Sequence, residues 1–487
     1  MGKLDELEPK AVMRWFEEIS SVPRGSMKEK KITAYIMKFA ADRGLACSKD
    51  ACGNVLVRKP ASPGYEKRGA LVLQSHMDMV CAKKKGVTHN FECEGLDLWV
   101  DGDRIKARGT TLGADNGIGV AYQLAILDDT VAPHPAIEAV FTVGEEIGMV
   151  GAVHFNMSQL TGKTMINFDA GGFTEGRIYV GCAGNQHAVL TQKLTYVTRT
   201  VGSHAVRITV SGLHGGHSGG DIDKGRGNAS VIMGRLMALL LADGSTAVAS
   251  FESGDTSQEN KNGIPSQSAI VACTEDLQKL KDVVSGFEAV LKDELSDVDD
   301  GVTLELAERK MLPERVLSYA SAHLTSQLLL VLPNGVRSMQ RIFPDTPECS
   351  CNVGNVEMQG QEAAFYLSVR SCKSSLIDRI CDEYRAVAAL TDCKLHFDDR
   401  LPGWDYDKNS RIKSLVEAEY QKEFGRSPRF KVTHASTECA IFKEQIPDMD
   451  IISMGPIIYE EHTPEEYMGI ASVGVLWKFV QNVIKEL

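Results

Sequence analysis

No Cys-x-x-Cys pair occurs in this chain, although it contains twelve cysteines. That absence argues against a zinc ribbon or a thioredoxin-type redox centre. The thiols are scattered, the nearest pairs being Cys349/Cys351 and Cys47/Cys52. The opening stretch MGKLDELEPKAVMRWFEEIS is charged and periodic, without a continuous apolar core. It reads as an amphipathic helix, not a signal peptide, so reduced thiols in a cytoplasm are the expectation. On that expectation the sequons at Asn156 and Asn228 carry no sugar. No window approaches the roughly 18 apolar residues of a membrane span. The segment VIMGRLMALLLA is too short and reads as a buried helix. Basic patches interleaved with aromatics are missing too, and the net charge is -12, so nucleic acid is not an expected partner.

What the chain does have is length and an ordinary composition. Its 487 residues exceed one simple core, and 43% hydrophobic with 24% charged residues is typical of a globular protein. Up to residue 186, short β-rich runs alternate with helical segments. ALVLQSH (70–76), EAVFTVGEE (138–146) and TMINFD (164–169) are bounded by polar turns, with NGIGVAYQLAILDD at helical spacing between the first two. That alternation predicts an α/β layer with a mostly parallel sheet flanked by helices. Between residues 187 and 397 the texture changes. HAVRITVSG, QSAIVACTED and AAFYLSVRSC read as strands, and NASVIMGRLMALLLAD, DLQKLKDVVSGFEAVLKDELSDV and SLIDRICDEYRAVAALTD as helices. This strand–helix pattern runs twice, without a repeat at the level of letters. From 398 to 487 the α/β texture returns, with DIISMG as a strand and SVGVLWKFVQNVIKEL as the last helix. The expected organisation is one α/β domain, 1–186 and 398–487, interrupted by an inserted α+β domain at 187–397. The acidic run DELSDVDD (293–300) reads as a solvated helix end and loop.

The unusual polar residues fall just beyond apolar runs. His76 and Asp78 end one strand, and Asp115 sits in the glycine-rich turn LGADNGIG. Glu145 and Glu146 end the next strand, Asp169 ends INFDAGG, and His462 follows the last strand. In an open α/β sheet the carboxyl ends of the strands are where ligands bind. Five chain segments thus deliver His, Asp and Glu to one crevice. Two histidines and three carboxylates suit Zn²⁺ or Mn²⁺ without any thiolate. Two such ions about 3.5–4 Å apart need a carboxylate that bridges them, and an aspartate held in a tight turn suits that task. Adjacent residues at a strand end point to different sides. One of Glu145 and Glu146 can therefore bind metal while the other serves as general base. His76 and Asp78 share a face, so both are candidate ligands at this level. The glycines of GADNGIG do not make a phosphate cradle, because Tyr122 stands where the third glycine of G-x-G-x-x-G would be.

The set SHMDMV, GTTLGADNGIG, TVGEEIGMVGA, NFDAGG and GPIIYEEHTPEE, in that order, resembles the M20 metallopeptidases, co-catalytic zinc peptidases with an inserted lid domain. The likeness spans nearly the whole chain. HASTECAIF and GLHGGHSGGDI resemble in particular the branch that cleaves carnosine-like Xaa-His dipeptides. The resemblance implies two divalent ions, zinc first with cobalt or manganese as alternatives. It assigns Asp115 as the bridging ligand, His76 and Asp169 to one ion, and Glu146 and His462 to the other. Glu145 becomes the general base, and Asp78 the group that holds the His76 ring. An aspartate at position 169 goes with amino- and dipeptidase members. The lid histidine that polarises the scissile carbonyl is His217, with His214 a close competitor. Arg370 resembles the arginine that clamps the substrate's terminal carboxylate, and Asn262, in NGIPSQS, a second substrate contact. His434 and Glu438 are placed in the substrate pocket.

The implied activity is metal-dependent hydrolysis of unblocked dipeptides, preferentially Xaa-His such as β-Ala-His. A broader di- or tripeptidase, an N-acyl amino acid deacylase, or a non-catalytic binding protein on the same fold are the alternatives. The implied partners are small dipeptides, in a cytoplasmic enzyme that is compatible with a homodimer. The insertion is long enough for two α/β halves, as in monomeric dipeptidases, which would let the lid histidine act in cis.

Overall fold

A computed structural model describes residues 2–200, 202–254 and 262–487. It divides into two compact units. Unit 1 comprises residues 1–182, 404–432 and 437–487, and unit 2 comprises 183–403 with 433–436. Unit 2 is thus inserted into the sequence of unit 1.

Unit 1 is built on eight strands: β1 (Ala46–Lys49), β2 (Val55–Lys59), β3 (Leu71–His76), β4 (Ile137–Thr142), β5 (Thr164–Asn167), β6 (Arg177–Cys182), β7 (Arg429–Thr433) and β8 (Asp450–Ser453). Their order across the sheet is β1-β2-β4-β3-β5-β8-β6-β7. The four strands β4, β3, β5 and β8 run parallel, and β2 and β6 flank them antiparallel. Every residue of β3 and β4 is buried. Strands covered on both faces read as continuous apolar runs, which is why LVLQ and IEAVF stand out in the sequence. The helix Ala114–Asp128 is apolar on nearly all sides and buries every residue from Asn116 to Leu127. A helix of that character belongs inside a domain. Lys10–Ser20, the amphipathic N-terminal segment, packs against it through Val12, Trp15, Phe16 and Ile19.

The two separated parts of unit 1 are joined by aromatic packing. Phe173 meets Phe479 at 4.7 Å and Tyr420 at 5.4 Å between ring centroids, and Tyr420 lies 4.4 Å from Phe424. A small further sheet, not among the expected elements, is formed by Leu98–Asp101, Arg104–Ala107, Tyr467–Gly469 and Ile458–Tyr459. Its outer hairpin carries His462, whose backbone takes the left-handed conformation at φ 64°.

Unit 2 holds a nine-stranded sheet, antiparallel throughout its described pairings. Two groups of strands meet where Thr246–Ser253 touches Pro347–Gln359 through the single pair Ser253–Val356. Helices Ala229–Leu241, Leu277–Glu294, Tyr319–Val331 and Ser374–Thr391 pack on it around one continuous apolar core that includes Leu190, Ile208, Leu236, Val284, Leu328 and Tyr384. Asn228 caps the first of these helices by accepting from the N–H groups of Ser230 and Val231. Segregated helices on an antiparallel sheet make this unit α+β. Among the described residues no helix is long and apolar enough to cross a membrane.

Truncating Phe173, which is fully buried at the seam of unit 1, should cost about 3–5 kcal/mol. Urea denaturation of Phe173→Ala checks this. A loss below about 1 kcal/mol would show that the aromatic cluster does not hold the two parts together.

Candidate metal centre and its surroundings

The carboxyl edge of the parallel strands gathers the predicted residues of unit 1. β3 ends at His76, fully buried. β4 runs on to Glu145 and Glu146, and β5 to Asp169. Asp115 follows Gly113, whose φ of 62° turns the chain into the helix. Asp115 itself is extended (φ -77°, ψ 111°), and its peptide bond to Asn116 is cis.

Asp115 sits between two imidazoles. Its Oδ1 is 3.1 Å from His76 Nε2, and its Oδ2 is 3.1 Å from His462 Nε2. Asp169 Oδ1 lies 3.7 Å from His76 Nε2, and Glu146 Oε2 lies 3.0 Å from His462 Nε2. The cluster therefore divides into two half-sites that share one carboxylate. His76, Asp115 and Glu146 each present a ligand atom within 4.8 Å of the others. Glu146 Oε1 is buried without a hydrogen-bond partner. A buried carboxylate oxygen left unpaired beside imidazole nitrogens is what a cation site provides, and the donor set fits a borderline divalent ion.

Asp78 has a different environment. Its carboxylate accepts the N–H of Glu145 at 3.1 Å, the N–H of Glu146 at 3.3 Å and the Ser26 hydroxyl at 2.8 Å. Its Oδ1 is also 3.4 Å from His76 Nδ1, on the far side of the ring from Asp115. One buried carboxylate thus orients both the imidazole and the Glu145-Glu146 turn, as groups behind a metal ligand commonly do. The Glu145 carboxylate itself makes no hydrogen bond or ion pair among the described residues, although its backbone N–H is held by Asp78. Asn116 ties the turn to β5 by donating to Phe168 O at 2.9 Å and Asp169 Oδ1 at 3.1 Å.

Charge explains the titration pattern. Burial works to lower the pKa of His76, but its hydrogen bonds to Asp115 and Asp169 outweigh this and raise it well above the ordinary range. Hydrogen bonds to Asp115 and Glu146 push His462 up to about 11. Burial would raise Asp115, yet the two imidazoles hold it well below the usual carboxylate range. Glu145 is pushed well above its ordinary value by burial, with Asp169, Glu438 and Glu146 adding and His76 opposing.

Unit 2 holds a second polar cluster. Arg370 is buried, donating to Ser218 Oγ at 3.3 Å and to Asn262 Oδ1 at 2.8 Å. Among the described residues it has no carboxylate partner, and burial lowers its pKa to about 10. Asn262 Oδ1 also meets His187 Nε2 at 2.9 Å. The two candidate histidines of unit 2 differ. His214 is engaged by buried Asp299, with Nδ1 2.7 Å from Oδ1. His217 Nδ1 accepts the Gly219 N–H at 3.1 Å, which leaves the ring proton on Nε2 when the ring is neutral. Burial and the charge of Arg370 hold its pKa down at about 4, so it is neutral at pH 7. Gly219 has no room for a side chain, since a Cβ would sit 2.9 Å from His217 Cε1 and 3.2 Å from Arg370 Cζ.

Two residues expected in the substrate pocket are closed in. Glu438 is fully buried in unit 1, accepting from Gln74 Nε2 at 2.6 Å and Thr142 Oγ1 at 2.7 Å, and burial pushes it up to about 7. It supports the sheet end and presents no open face. His434 is buried against Ser350, with Nε2 2.7 Å from Oγ. The structure also brings in residues that carry no sequence signal, above all Arg24 and Glu466. Both are buried and bonded to the backbone of the turn that leads into Asp115.

A carboxylate shared by two imidazoles, with an unpaired glutamate beside it at the end of a parallel sheet, has the make-up of a metal-dependent hydrolase. The sequence model of peptidase family M20/M25/M40 matches residues 72–486, and the chain belongs to that family. It is 34% identical over 489 aligned residues to the cytosol non-specific dipeptidase of Escherichia coli, covering 100% of this chain and 99% of that one. The fold matches the aminoacylhistidine dipeptidase of Vibrio alginolyticus with a TM-score of 0.89 at 32% identity, covering 99% and 98% of the two chains. Human carnosine dipeptidase 1 shares the fold alone, at a TM-score of 0.51 and 13% identity over 98% and 95%.

Two outcomes follow from this geometry. Ligand imidazoles must be neutral to bind a cation, and the carboxylates here favour the protonated rings. Divalent ions should therefore bind more weakly as pH falls and should release protons on binding. Calorimetry in buffers of different ionisation enthalpy reads both, and binding without proton release would contradict the ligand set. Asp78→Asn should lower kcat/KM on the order of 10–100-fold while metal content measured by emission spectroscopy changes little. Loss of all bound metal in that variant would make Asp78 a ligand.

Proposed function

We propose that this chain hydrolyses unblocked dipeptides in a reaction that requires two divalent ions, zinc foremost, with Xaa-His dipeptides preferred. The observation that carries the reading is the Asp115 carboxylate held between His76 and His462, each backed by one further carboxylate. His76 and Asp169 would hold one ion, Glu146 and His462 the other, and Asp115 both. When bound, such ions acidify water and polarise a peptide carbonyl.

Glu145 is the proton carrier in this reading. Its carboxylate is unengaged, and its surroundings raise its affinity for protons. A base of raised pKa takes a proton from the attacking water and can return it to the leaving amine nitrogen. Asp78 keeps the Glu145-Glu146 turn and the His76 ring in place during that transfer. His217 offers a neutral Nε2–H to the developing oxyanion, the larger part of stabilisation in acyl transfer. His214 is less suited, because Asp299 occupies its ring. Among the described residues Arg370 is a buried cation without an anion, and the terminal carboxylate of a dipeptide is a planar, bidentate partner for it. Asn262 fixes the guanidinium and is placed to contact the same end of the substrate. The name of the Escherichia coli relative, a cytosol dipeptidase, supports a cytoplasmic setting.

The broader reading is favoured by the name of that same relative, a non-specific dipeptidase. A panel of β-Ala-His, Gly-His, Ala-Ala, a tripeptide and N-acetyl amino acids on metal-loaded protein separates the cases. Preference for the histidine dipeptides supports the proposal. Equal rates on Ala-Ala would favour the broad enzyme, and cleavage of N-acetyl amino acids alone would favour a deacylase. Glu145→Ala should lower kcat by at least about 10²-fold with both ions retained. Near-normal kcat in that variant would remove Glu145 from the base role.

A further inference from the structure

Three chain segments must bring His76 and His462 within hydrogen-bonding distance of Asp115, from 39 and 347 residues away along the chain. Two buried charged residues connect those segments, and neither touches a reacting atom. Glu466, four residues beyond His462, is 2% exposed. Its Oε2 accepts the N–H groups of Leu112 and Gly113, both at 2.8 Å, and its Oε1 those of Ala114 at 2.8 Å and Asp115 at 3.3 Å. Four consecutive backbone donors thus converge on one carboxylate, an anion nest filled from within the chain. Arg24, also 2% exposed, takes the carbonyl side. It donates to Gly113 O, to Met77 O at 3.3 Å and to Asp78 O at 3.2 Å. A Cβ on Gly113 would lie 2.7 Å from Arg24 Nη2, and one on Gly117 2.4 Å from the same atom, so both glycines make room for the guanidinium.

We propose that Glu466 and Arg24 are positioning residues that clamp the Asp115 turn from its N–H and C=O sides, locking it to the His462 segment and to the end of β3. The inference rests on the reading of Asp115 as the ligand shared by both ions. Its chemical content is specific. A buried carboxylate that only stabilised the fold would leave the metal affinities of the folded protein unchanged. One that merely carried the His462 segment would weaken a single half-site. One that holds Asp115 in place weakens both.

The test is calorimetric titration of metal-free protein with Mn²⁺, on the parent, Glu466→Gln, Glu466→Asp, His462→Ala and Asp115→Asn. Circular dichroism and melting of the metal-free forms verify folding. In Glu466→Gln an amide N–H₂ meets the loop donors, and both equivalents of Mn²⁺ should bind on the order of 10–100-fold more weakly. Glu466→Asp keeps the charge but is one methylene shorter, and should weaken both by a smaller factor. His462→Ala should weaken mainly one. Parental affinities in folded Glu466→Gln overturn the proposal, as does weakening of one equivalent only. If Glu466→Gln does not fold, Glu466→Asp is read by the same criterion, and parental binding there overturns it. Asp115→Asn separates the two levels. If it loses both ions while Glu466→Gln loses neither, the clamp falls and the shared-ligand reading stands. If Asp115→Asn binds both normally, that reading falls and takes the clamp with it.

Discussion

Negative charge packed beyond what the chain's own cations neutralise is the constraint on which unit 1 is built. Asp78, Asp115, Glu145, Glu146 and Asp169 converge at one sheet edge, and Glu438 lies buried near them. Carboxylates crowded in this way each hold the others' protons more tightly unless positive charge intervenes. Two imidazoles take up part of the load, one on each oxygen of Asp115. Divalent ions are the natural counterpart of such a cluster, because each brings two charges to a space the size of a water molecule. The buried backbone bonds of Arg24 and Glu466, the hydrogen bonds of Asp78 and the reach of Asn116 all serve to keep the repelling groups in place.

The division of labour between the units follows from their architecture. A parallel sheet delivers side chains from several strand ends to one edge, and unit 1 uses that to assemble ligands from five segments. An antiparallel sheet with a short strand pair at its margin suits a different task. The pairing of His217 with Gly263 fixes the segment that carries His217, and puts Asn262 beside it. Arg370, on a long central strand, then has a rigid backbone beneath a guanidinium whose partners among the described residues are neutral.

Much of this was legible in the sequence because burial writes itself as composition. The continuous apolar runs of β3 and β4, each ending abruptly in acids or a histidine, announced both a parallel sheet and its functional edge. The strand DIISMG and the last helix, SVGVLWKFVQNVIKEL, were read close to their observed positions. Glu438 was placed in the pocket by resemblance, and its burial was not legible, because nothing in HASTECAIF tells a buried carboxylate from an exposed one. Gln74 and Thr142, which make its burial possible, lie hundreds of residues away. Arg24 and Glu466 were invisible for the same reason, since their partners are backbone atoms and any sequence supplies those. The small sheet behind His462 was missed although VDGDR, an Asp-Gly turn between alternating residues, is a hairpin signal.

The position of β8 has a consequence for how the molecule is made. This strand, Asp450–Ser453, inserts between β5 and β6, pairing parallel with one and antiparallel with the other. Both neighbours leave the ribosome hundreds of residues earlier, before the whole of unit 2. Throughout that synthesis β5 presents an unpaired, apolar edge, the kind of surface that recruits foreign strands. The nascent chain therefore carries its gap at the centre of the sheet, not at the rim, until its final tenth emerges. His462 arrives with that same segment, so completing the sheet and completing the candidate metal centre are nearly one event.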